Sequence, residues 1–168
     1  MSPAASFGAE ARDDLPRVEN ALLWAMRAWV IGHCRGIAVE DRIGRVFAEL
    51  GAPGAMGYLS GFMWALSHGA TRTLEVNCVC HPGLSRDESA LLDVIALEQE
   101  GYADEALALL RGMATARAAS VVCDSARGMA LALQAAGRIL PRGATVLERR
   151  GLGSFAWLPD DPAGRYLH

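Results

Sequence analysis

The chain contains no lysine; its sixteen basic residues are all arginine. Arginine is a planar, bidentate cation suited to carboxylates and phosphates. Here the arginines are scattered, and only Arg149 and Arg150 are adjacent. There is no basic stripe of the kind that holds nucleic acid, and the net charge is -3, so nucleic acid is not an expected partner. Long apolar runs are missing too. The run from Ala21 to Cys34 is broken by Arg27 and falls short of the roughly 20 residues that cross a bilayer, so no membrane span is expected. The opening MSPAASFGAEARDD lacks a basic start followed by an apolar stretch. It reads as a disordered leader over residues 1–13 instead of a signal peptide, which leaves the cytoplasm as the expected compartment. No GxSxG, no Glu-x-x-His and no phosphate-cradling glycine loop occurs, so the familiar signs of a hydrolase, a metal-binding helix or a nucleotide site are absent. Glu98 and Glu100 lie two apart, on different faces of a helix, and do not make a carboxylate pair.

What remains is helical periodicity. With 168 residues, 52% of them hydrophobic, the chain can bury one domain core without disulfides or metal. Val18, Leu22, Ala25, Met26, Trp29 and His33 recur at steps of three and four after Asp13-Asp14-Leu15-Pro16, predicting a helix that ends near Gly36. A second runs from Val39 to Gly51, and a third from Ala52-Pro53 to Gly69. From Thr71 to Cys78 the period changes to two, a strand pattern with no obvious partner strand. Ser85-Arg86-Asp87-Glu88 is a capping box that opens a fourth helix, ended by Gly101. A fifth follows from Asp104 to Met113. A sixth follows over about Ala116 to Ala136, with Gly128 as a site of close helix approach. The fold class expected is therefore all-α: a single-domain bundle of about six helices over residues 14–140, with one short extended segment. Residues 141–168, rich in Gly and Pro, are expected to be irregular and to pack on the domain or on a partner, because Phe155 and Trp157 are too apolar for a free tail.

The words ALEQEGYADEALALL, Ala96 to Leu110, resemble the turn between the paired helices of a tetratricopeptide repeat. The resemblance covers about fifteen residues of a repeat in which ~34 are expected, and no second copy is found. It implies a helical hairpin at this place and nothing about function.

Chemistry concentrates in NCVCHPGLSRDE, Asn77 to Glu88. Cys78, Cys80 and His81 offer one loop with up to three ligands for a soft ion, and Cys34 or Cys123 would supply a fourth; zinc is the metal this set suits best. The spacing is looser than paired CxxC motifs, one residue short of the CxxCH of c-type haem, and unlike the common iron–sulfur patterns. Thiol chemistry is the alternative. Cys80, with His81 as acid/base, lies just before the Ser85-capped helix, whose N-terminus favours a thiolate. In the plainest case Cys78, Val79 and Cys80 are packed core residues and His81 a solvated turn residue. His33 and His68 sit at helix C-termini, where a cationic cap is favoured. Trp24 and Trp29, five apart, cannot both face the core. The expected function is that of a partner-binding protein, or a homo-oligomer, with a zinc site at these residues. The alternatives are a redox enzyme or sensor using Cys80 and a metal-free helical adaptor.

Overall fold

The computed structural model describes residues 15–141; the leader and the segment 142–168 lie outside the described residues. Six helices follow one another: α1 Leu15–Arg35, α2 Glu40–Glu49, α3 Ala55–Gly69, α4 Arg86–Glu100, α5 Ala103–Arg111 and α6 Ala116–Ala135. The all-α bundle expected from periodicity is what forms. Boundaries agree within a few residues. The largest shift is at α3, where Ala52-Pro53-Gly54 makes a turn closed by Ala55 N–H to Ala52 C=O, 3.0 Å, before the helix begins.

The bundle is built around α3 against α6, its most extensive helix pair. Leu59, Phe62, Met63 and Leu66 of α3 and Val122, Ala126, Met129 and Leu133 of α6 are buried. Small residues let the two helices approach. A Cβ on Gly69 would overlap the Cβ of Ala118, and one on Gly61 would press on Ser125 Oγ at 3.1 Å. Gly128, expected as a close-approach site, lies under the ring of Tyr58.

Helix ends follow local chemistry. The capping box at α4 is present, Ser85 Oγ accepting the Glu88 N–H at 3.0 Å and Glu88 Oε2 accepting the Ser85 N–H at 2.9 Å. Thr115 caps α6 by accepting from the Ala118 N–H. Gly101 ends α4 in the left-handed region, φ 84°, where a side chain is strained. Gly101-Tyr102 then reverses the chain, and α4 and α5 pack together as the hairpin implied by the resemblance.

The extended segment joins no sheet within residues 15–141. Among the described residues the β pairing is one isolated bridge, Ala70 with Ala114, flanked by Thr71 N–H to Met113 C=O and Thr115 N–H to Gly69 C=O. Beyond it the segment is held by side chains of α4.

Candidate functional site

Arg27 sits in the core side of α1, 1% exposed. A buried guanidinium must be fully hydrogen-bonded and paired, and this one is. Its Nε and Nη2 donate to the two oxygens of Glu88 at 2.7 and 2.9 Å. Nη1 donates to the His81 carbonyl at 2.8 Å, and Nη2 also reaches the Gly83 carbonyl at 2.6 Å. Glu88 in turn accepts from Asn77 N–H at 3.0 Å, Asn77 Nδ2 at 3.2 Å and Ser85 N–H. The loop between the extended segment and α4 is thereby fastened at Asn77, His81, Gly83 and Ser85 to one buried ion pair.

Asp87 fastens the segment one step earlier. It accepts from Glu75 N–H at 2.7 Å and from both terminal nitrogens of Arg72, at 2.6 and 3.0 Å. Ser85 Oγ donates to the Glu75 carbonyl. The Arg72 guanidinium beside Asp87, helped by the Glu75 N–H, holds that carboxyl below its ordinary value against burial. Burial pushes Glu88 up, but Arg27 and the Ser85 and Asn77 amides outweigh it and the net direction is down. Carboxyls with depressed folded pKa values contribute stability above their unfolded values, about 3.9 for Asp and 4.3 for Glu. That contribution is lost as pH falls through the lower folded values. Urea midpoints should therefore hold down to about pH 4 and fall below it, and Glu88→Gln should show a smaller acid-induced fall than the parent protein.

On this anchored loop the Cys78–His81 turn closes through His81 N–H to Cys78 C=O, 3.0 Å. Cys78 and Cys80 are both exposed, with their sulfurs 3.1 Å apart. A hydrogen bond from the Cys80 thiol lowers the Cys78 pKa against partial burial, aided by the Cys80 and His81 N–H groups and the Arg27 charge. The same contact, with the Cys78 charge, raises that of Cys80. Of the two, Cys78 is the thiol lowered and Cys80 the one raised, and Cys78 has the His81 amide beside it in addition to that of Cys80.

The other sequence candidates lie apart. Cys34 is exposed near the end of α1. Cys123 is buried in α6 and donates to Glu98 Oε1 at 2.8 Å; burial and that carboxylate push its thiol up to about 12. His81 Nδ1 accepts the Gly83 N–H at 3.0 Å. Among the described residues no three His, Cys, Asp or Glu side chains group as a metal site, so the expected set Cys78, Cys80, His81, Cys34 and Cys123 is not drawn together. Tetrahedral zinc, with Zn–S bonds of about 2.3 Å, would hold two sulfurs about 3.8 Å apart, wider than the pair stands.

The sequence reading missed Arg27, Arg72 and Asn77. The signal for Arg27 was a charge inside the apolar run of α1, used above only against a membrane span. It also missed that both C-terminal histidines belong to one aromatic ladder. His33 stacks on Trp29 with ring centres 4.9 Å apart, and His68 stacks on Trp64 at 4.4 Å. Trp29 and His33 meet Trp64 edge-on at 6.2 and 5.2 Å. Beside the ladder a cavity of about 320 Å³ opens between α1, α3 and the extended segment, lined by Trp29, Met63, Leu66, Leu74 and Val76 among others.

Among the described residues no helix is long and apolar enough to cross a membrane. Compared with models of known protein families, with characterised proteins and with solved structures, the chain matches none. Its class is defined by its own geometry: an all-α bundle that presents two adjacent thiols on a turn anchored to a buried ion pair.

Proposed function

We propose that the protein is a thiol–disulfide exchange protein or redox sensor in which Cys78 attacks and Cys80 resolves. The observation that carries this is the pair of exposed sulfurs 3.1 Å apart on an anchored turn. Bringing them to the disulfide length of about 2.05 Å needs a shift of about 1 Å. A one-residue spacing makes a small, strained ring, and strained disulfides are the labile, catalytic ones. In a reducing cytoplasm, cysteine pairs that do oxidise are mostly transient and catalytic or sensory.

Oxidised glutathione tests this directly. It should convert the protein to a form lighter by two hydrogens, bridged between Cys78 and Cys80, with two glutathione thiols released. Cys80→Ser should stop at a mixed disulfide on Cys78, and Cys78→Ser should abolish the fast phase. Iodoacetamide labelling of Cys78 should titrate below the ordinary value of about 8.5. Equal, slow labelling of all four cysteines, with no adduct on the Cys80→Ser protein, would sink the proposal.

A second reading is a partner-binding protein with zinc held by Cys78 and Cys80, whose sulfurs would have to part from 3.1 Å to about 3.8 Å. They supply half of a tetrahedral set, with the rest from a partner or a second copy. Near-stoichiometric zinc in protein purified without chelator, lost in both Cys78→Ser and Cys80→Ser, would decide for it.

A further inference from the structure

Among the described residues the extended segment has one hydrogen-bonded edge and one edge without a bond. Glu75 and Asn77 turn their amides to Asp87 and Glu88, and the Glu75 carbonyl accepts from Ser85. In an extended chain alternate residues present N–H and C=O to opposite edges, so those of Leu74 and Val76 face away from α4. Among the described residues neither of their main chains has a hydrogen-bond partner. The side chains of Leu74 and Val76 line the cavity beneath, opposite Trp29, Met63 and Leu66. A free edge of this kind is a template for an added strand, with main-chain bonds giving affinity and pockets choosing alternate side chains.

The edge leads into the thiols, since Val76 precedes Cys78 by two residues, about 7 Å of extended chain. A residue placed opposite Cys78 in an added antiparallel strand has its Cα about 4.5–5.5 Å away. That lies inside the span of about 4.4–6.8 Å that a disulfide bridges. Cys78 itself begins the turn, its carbonyl taken by the His81 N–H, so a strand paired at Leu74 and Val76 brings a partner cysteine beside Cys78 where that strand runs on past Val76.

We infer that the Leu74–Val76 edge receives an extended, apolar polypeptide segment as an added strand, and that the substrate class of the dithiol is a disulfide carried on such a segment. This rests on the exchange function proposed above. The Cys78 thiolate attacks the substrate disulfide, forming a mixed disulfide and releasing one sulfur, which takes up a proton. The Cys80 thiol then gives up its proton and attacks the Cys78 sulfur, freeing the second substrate thiol. The substrate is reduced to two thiols and the protein is left with a Cys78–Cys80 disulfide, which a low-molecular-weight thiol can reduce again.

The test compares disulfides on the intact protein. The probe is a ten-residue peptide of alternating valine and threonine with arginine at both ends and a central cysteine capped by glutathione. It should react at least tenfold faster than oxidised glutathione. N-methylation of alternate amides in one register should erase that advantage, and methylation in the other register should spare it. Equal rates for peptide and oxidised glutathione, or the same response to both methylation registers, would overturn the edge while leaving the exchange function intact. If neither disulfide reacts, the exchange function fails, and tryptophan fluorescence of the Cys78→Ser/Cys80→Ser protein with a serine version of the peptide decides the edge alone. A register-dependent change supports docking, and no change overturns it.

Discussion

Replacing Arg27 by methionine is expected to lower the unfolding free energy by about 3–5 kcal/mol, because it leaves Glu88 as an uncompensated buried carboxylate. Both side chains of the pair are 1% exposed, so water cannot take over for the lost partner. The loop suffers as well, since the His81 and Gly83 carbonyls lose their donor. Urea unfolding of Arg27→Met against the parent protein measures the loss. The variant Arg27→Met/Glu88→Leu separates two causes. Replacing a whole buried pair by apolar groups is often neutral or better, so global stability should return in large part. The loop should not recover, because Asn77 and Ser85 then lack the carboxylate that accepts from them. Amide exchange should show Asn77 newly unprotected in the double variant. A double variant as unstable as the single one would mean that the pair matters as a tether more than as a charge.

The second large effect is expected at Gly69. A Cβ there would overlap that of Ala118 at the start of α6, and the Gly69 carbonyl accepts the Thr115 N–H at 2.8 Å. Gly69→Val must part α3 from α6 at Ala118, and forced overpacking costs typically about 1–3 kcal/mol. The upper part of that range is expected, because the obstacle is a short side chain fixed to a helix backbone and cannot swing away. Gly101→Ala is the comparison. A Cβ there meets nothing within 4 Å, so its cost is that of a left-handed backbone alone, about 1–2 kcal/mol. Thermal unfolding of both variants should rank Gly69→Val as the more damaging, and the reverse order would place the strain in the turn and not in the helix contact.

Gly69 shows how far the sequence could be read. As a terminator it was legible, because a glycine after an apolar period ends helices whatever the fold. Its role against Ala118 was not, since that contact joins residues whose neighbourhood only tertiary packing creates. The Ser85 capping box was legible for the same local reason, and so were the six helices and the hairpin at Gly101. Glu88 divides between the two levels. Its bond to the Ser85 amide follows from spacing, while its bond to Arg27, 61 residues away, has no sequence signature beyond a charge in an apolar run.

The thiol loop divides in the same way. That Cys78 and Cys80 lie close together is a consequence of a one-residue spacing. Which sulfur is the more acidic depends on the turn, whose His81 amide lies beside Cys78 and not Cys80. Cys123 and Cys34 could be ligands on paper, but helix packing gives one to Glu98 and leaves the other at the end of α1. Local propensity, periodicity and capping act over a few residues, and so the sequence by itself determined the helices, their ends and the nearness of Cys78 to Cys80. Pairing of buried charges, helix approach and the exposure of the two thiols depend on which distant segments meet, and only the tertiary structure decided them.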